Sequence, residues 1–214
     1  MVCAAATSFV AQTLNMRTPQ PALPLLKSLE ERTEQQLQTA LRVFQNLAPA
    51  ALNSAPAPGR WSVAACLWHL NSYGDHYYPR IAAALKKGGP QATHFTSTWL
   101  GAYFTKMMEP GPGMKKIKTF KSHEPPLSAN DPVADVHEFI RQLEWLLVLL
   151  REAREADLNR IRIPITLTTL IRLRLGDVFQ FIVAHNERHV QQALRACATH
   201  HAGDVLSTTV NVVP

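Results

Sequence analysis

The chain has 214 residues, 46% hydrophobic and 18% charged, which suits one large domain or at most two. Its formal charge is +6 with a pI near 9.5, yet the lysines and arginines are spread along the chain rather than gathered into a stripe. No run of about 18 apolar residues argues for a membrane helix. Cys3, Cys66 and Cys197 form no CxxC pair, a pattern of free thiols in a reducing, cytoplasmic setting.

The opening "MVCAAATSFVAQTLNM" lacks a basic n-region and reads as a disordered leader over residues 1–20. From Leu25 to Leu47 the apolar positions Leu26, Leu29, Leu37, Leu41, Phe44 and Leu47 recur at helical spacing. The prolines and glycine of "APAALNSAPAPGR" end that helix. Ser62 is a natural N-cap for a second helix, "VAACLWHLNSYGDHYYPRIAAALKK", in which Pro79 predicts a kink.

Residues 88–131 form a long connection rich in Pro and Gly. It holds Trp99, Tyr103, Phe104, Met107 and Met108, too much apolar area to leave in water, so part of it should pack as a short helix and border any pocket. The densest basic run, "KKIKTFK" at Lys115 to Lys121, lies in this connection without aromatic interleaving suited to base stacking, which disfavours nucleic-acid binding. "NDPVADVHEFIRQLEWLLVLLREAREADL" is the clearest helix, capped by Asn130 or Asp131 with Pro132 in its first turn. "RIPITLTTLIRLRL" is a β-favouring connection, a fourth helix runs from about Asp177 to Ala198, and "VLSTTVNVVP" reads as a short strand or extended arm. The pattern predicts an all-α four-helix bundle over residues 21–200, with the long connection between helices 2 and 3 and a tail over 201–214.

The fourth helix carries the chemistry. Its predicted buried stripe is Val178, Ile182, His185, His189 and Ala193, so two imidazoles take places where Leu or Val would otherwise stand. Side chains at i and i+4 share a face about 6 Å apart along the axis, close enough for two ring nitrogens to converge on one ion. Asn186 stands where a zinc protease needs Glu, and no Glu-x-x-His pair supports a di-iron site. A buried His pair can also be structural, and a third ligand is left open by the residues themselves. His69, His76, His94, His123, His137, His200 and His201 are all candidates, and a helical wheel puts His69 about 120° from the centre of its helix's apolar stripe. Cys66, one turn before His69, is a soft-ligand alternative or a small core residue.

Two segments carry a family resemblance. "GRWSVAACLWHLNSYGDHYYPRI" and "LRLGDVFQFIVAHNERHVQQALR" resemble the second-helix and last-helix signatures of the DinB-like superfamily of metal-dependent enzymes. The likeness spans about Leu25 to Cys197. It implies one divalent ion, zinc or nickel, held by the His of "WHLN", His69, and those of "HNERH", His185 and His189. Ala65 stands where the family often has an acidic residue, which leaves the ligands untouched. The resemblance further implies a metal-assisted hydrolase or a transferase using a low-molecular-weight thiol, acting on a small molecule, and a homodimer is compatible with it. The alternative is a non-catalytic metal-binding or partner-binding helical protein.

Overall fold

A computed structural model describes residues 18–111, 117–126, 131–166 and 168–208, with side chains through residue 198. The expected leader falls largely outside these residues, as do Lys115 and Lys116 of the basic run and the last part of the tail. Four long helices dominate: α1 (Ala22–Arg42), α3 (Val63–Leu85), α5 (Pro132–Glu152) and α6 (Leu175–Thr208). They close a ring in which α1 and α3 each pack against both α5 and α6. The short α2 (Pro49–Asn53) lies against α3 and α5, and α4 (Trp99–Met108) lies along α6.

Local chemistry explains the boundaries. The Ser62 hydroxyl accepts from the Ala65 N–H at 3.2 Å and starts α3, while Asp131 caps α5, accepting from the Ala134 N–H at 2.9 Å; Asn130 lies outside the described residues. The helical assignment of α3 runs unbroken through Pro79. The β-favouring stretch is an antiparallel hairpin of β3 (Arg162–Ile165) and β4 (Thr168–Arg174), bulged between Pro164 and Ile165. Two residues of β1 (Gln20–Pro21) pair with β2 (His94–Phe95) and tie the entry of α1 to the long connection.

Two expectations are corrected. The helix after the hairpin does not stop at Ala198 but continues to Thr208. Gly203 alone does not break it, because one interior glycine costs only about 1 kcal/mol against alanine. That helix takes in His200, His201 and the start of the supposed arm. The connection does form a short helix, but only its inner face is covered: Met108 is buried and Phe104 half-buried, while Trp99 and Tyr103 stack on each other facing solvent.

The core is divided. One apolar cluster joins Leu26 and Leu29 of α1, Tyr73 to Ile81 of α3, Leu146 to Leu150 of α5, the hairpin and Val178 to Ala184 of α6. The other joins Phe44, Leu52, Val63 to Leu70, Val136 to Leu143 and Val190 to Cys197. Position along α3 and α6 separates the two, with the boundary near residue 71 on one helix and 185–189 on the other.

The fit of α4 on α6 is exact enough to reverse a common rule. Asp177, fully buried in the first turn of α6, accepts from the backbone N–H and the hydroxyl of Thr98, the residue that caps α4. A Cβ on Gly101 would lie 2.1 Å from the Asp177 carboxyl carbon. Gly→Ala in a helix ordinarily stabilises by about 1 kcal/mol. Gly101→Ala should instead destabilise by about 1–3 kcal/mol through overpacking, read as a lower urea midpoint at unchanged m-value.

Candidate metal centre

His69 from α3 and His185 and His189 from α6 meet at the boundary between the two core clusters. Their ligating nitrogens all lie within 4.8 Å of one another, and the facing Nε2 atoms of His69 and His185 are 3.1 Å apart. All three side chains are buried. The wheel misplaced His69 because α3 has no single buried stripe here. Its first half is enclosed by α5, α6 and α2 together, so Cys66, Leu67, His69, Leu70 and Asn71 are all buried.

Neighbouring groups set the tautomers. The His69 Nδ1–H donates to the backbone carbonyl of His123 at 2.7 Å, and the His189 Nδ1–H donates to Gln192 Oε1 at 3.1 Å. Each bond turns the Nε2 lone pair toward the cluster, as outer partners do in histidine metal sites. Trp61 covers one side, its ring 4.9 Å from that of His69 and stacked 5.6 Å from that of His189. Tyr73 lies 4.4 Å from His185 on the other side, and Phe181 is almost parallel to His185 at 5.5 Å.

The other candidates go elsewhere. His76 donates to the carbonyl of Pro164 on the hairpin, and His94 and His137 are exposed. The side chains of His200 and His201 lie outside the described ones. Cys66 belongs to the apolar core, where burial pushes its thiol up to about 12. Glu187 is drawn away to α1, where Arg32 grips both its oxygens at 2.7 and 2.5 Å. Asn186 is buried against the Tyr78 hydroxyl. Arg188 donates to the carbonyl of Met107, fastening α6 to the end of α4.

Sequence reasoning weighed His123 only as a candidate ligand and missed the role it has, supporting His69. It sits on a single helical turn, Lys121–His123, in the long connection. Its ring bonds the Ser72 hydroxyl at 2.8 Å and packs 4.3 Å from Tyr73, and its carbonyl serves His69. A backbone acceptor has no residue-type signature, so nothing in the sequence marks this role.

The sequence profile of the DinB superfamily matches residues 32–193. The chain belongs to the DinB superfamily. No curated protein and no solved structure matches it. Membership and the buried three-histidine cluster agree with a metal-binding helical protein. No helix among the described residues is long and apolar enough to cross a membrane.

The donor set suits a divalent transition ion. Burial holds His69 down at about 4 and His189 at about 3, and it holds His185 well below the usual imidazole range. All three are therefore neutral at physiological pH, so an ion held here would have no proton to displace. The same shifts make metal-free protein acid-sensitive. Unfolded imidazoles, near 6.5, bind protons more readily than these buried ones, so stability falls as pH drops from about 6.5 toward 4 and 3. Denaturant titrations of chelated protein across that window should show the loss, and a His69→Gln/His189→Gln variant should have a visibly flatter profile. Equal slopes in the two proteins would contradict the assignment.

Proposed function

We propose that this DinB-superfamily protein is a metal-dependent enzyme in which His69, His185 and His189 hold one divalent ion, and that it transfers a low-molecular-weight thiol to a small electrophile. The observation that carries the reading is that an apolar cleft lies beside the buried histidine cluster, with Tyr73 and Phe181 lining the cleft and packing against His185. A divalent ion there would supply Lewis acidity and lower the pKa of a thiol or water presented to it.

The rest of the chemistry belongs to the chain. His123 and Gln192 keep two imidazoles in the ligating tautomer. Trp61 excludes water from one side. Of the groups that act on His185, the imidazoles of His69, His189 and His123 are bases held toward their neutral form by burial, and Arg188 is a cation. No Asp or Glu joins the cluster among the described residues, and Glu187 is held by Arg32. With a divalent ion held there and Arg188 alongside, such a site would attract an anionic nucleophile, a thiolate, and it offers no carboxylate among the described residues to deprotonate attacking water. That balance favours thiol transfer over hydrolysis.

Elemental analysis should find about one divalent ion per chain, lost in the His185→Ala/His189→Ala variant. Thiol transfer to a panel of epoxides, quinones and alkyl halides should fall roughly hundredfold or more in that variant and on chelation. Helical circular dichroism should survive chelation, because the two apolar clusters are built without metal. Undiminished metal in the variant would refute the site. Chelator-sensitive ester hydrolysis without thiol transfer would replace the reaction by hydrolysis.

A further inference from the structure

The cleft beside the histidine cluster has a definite chemical character. Its walls come from three sources: Tyr73 and Tyr77 of α3, Phe104 and Met107 of α4, and Ile165 and Leu173 of the hairpin. Phe181 closes the end toward His185, and Phe120, half exposed, stands at the rim. No charged side chain is among the described residues that line it. The polar groups are three, and they are already engaged with one another. The Thr166 N–H donates to the Tyr77 hydroxyl at 3.4 Å, and the Thr166 side chain lies toward the hydroxyls of Tyr73 and Tyr77.

We infer that this cleft binds a neutral aromatic carbon skeleton, held against the Tyr73 and Phe181 rings that stand between it and His185. Neutrality follows from the lining, since an ionised group brought in here would lose its water and meet no counter-charge. Preference for aromatic carbon follows from ring faces and a methionine thioether, which make polarisable contacts with a ring. At most one hydrogen-bonding substituent is accommodated, at the Tyr73–Thr166–Tyr77 hydroxyls.

This assigns the class of the electrophile in the activity proposed above and rests on that reading for the ligand's being a substrate. It also divides the two reactants in space. A hydrophilic thiol finds no partner in the cleft, so it reaches the cluster from another direction while the apolar reactant occupies the cleft.

Binding can be measured apart from catalysis with two fluorescent probes that share a skeleton, neutral 1-naphthylamine and its anionic sulfonated counterpart, 5-aminonaphthalene-1-sulfonate. Full-length protein, both metal-loaded and chelated, should bind the neutral probe at one site per chain with blue-shifted emission. The anionic probe should bind at least about tenfold more weakly. Met107→Trp, which fills the cleft, should weaken the neutral probe at least about tenfold. Met107→Ala, which enlarges it, should bind the neutral probe within a few fold of the parent and controls for loss of fold. Equal affinity for both probes, no binding by helical protein, or indifference to Met107→Trp would overturn the inference. Thiol transfer to polar electrophiles without neutral-probe binding would overturn it and leave the metal reading standing. Selective binding without thiol transfer would keep the cleft's specificity and discard the activity.

Discussion

Three imidazoles buried between two apolar clusters are the constraint around which the molecule is arranged. Each gives up water, and only one outer hydrogen bond apiece is provided for His69 and His189, from the His123 carbonyl and from Gln192. Burial therefore drives the rings to their neutral form, the form a divalent cation needs. A core of leucines in the same three places would be simpler to fold. The polar knot interrupts what would otherwise be one continuous core and leaves a lower cluster around Phe44, Leu67 and Phe139 and an upper one around Phe179, Tyr77 and Leu146.

Much of the surrounding structure serves to hold α6 in register with α3, because the cluster draws on both. Arg32 of α1 grips Glu187, between the two α6 histidines, in a bidentate pair that is partly screened from solvent. Gln36 donates to the carbonyl of Val183 one turn earlier. Arg188 reaches the end of α4, and Asp177 locks the start of α6 to the start of α4. These contacts come at successive turns of α6 and from different helices. A slide of α6 by one turn, about 5.4 Å, would break all of them and scatter the histidines.

The cleft arises from elements outside the four-helix ring. α4 lies along α6 and the hairpin leans over α3, and the space between them is walled by Phe104, Met107, Ile165 and Leu173. The ring positions the histidines, and these additions wall the cleft beside them. Helix α4 leaves Trp99 and Tyr103 in solvent while turning Phe104 and Met108 inward, as an amphipathic helix lying on a larger body does. The apolar character of the connection was legible in the sequence, but which of its residues face the cleft depends on the side of α4 that meets α6.

Period and end signals in the sequence were enough for the long helices and for the i, i+4 histidine pair, because both depend on local geometry alone. Ser62, Asp131 and the Val178, Ile182, His185, His189, Ala193 stripe could be read without knowing what they touch. The third member of the cluster could not be read in this way. His69 lies off the apolar stripe of its own helix and is buried because α2, α5 and α6 enclose that half of α3 from several sides, which no one-helix pattern encodes. His123 is further removed: its contribution is a carbonyl oxygen that every residue possesses, placed by a loop that reaches α3 across 54 positions of sequence. Residue type decided which groups are able to bind an ion, and only the tertiary packing, by bringing distant segments into one desolvated space, decided which of them meet.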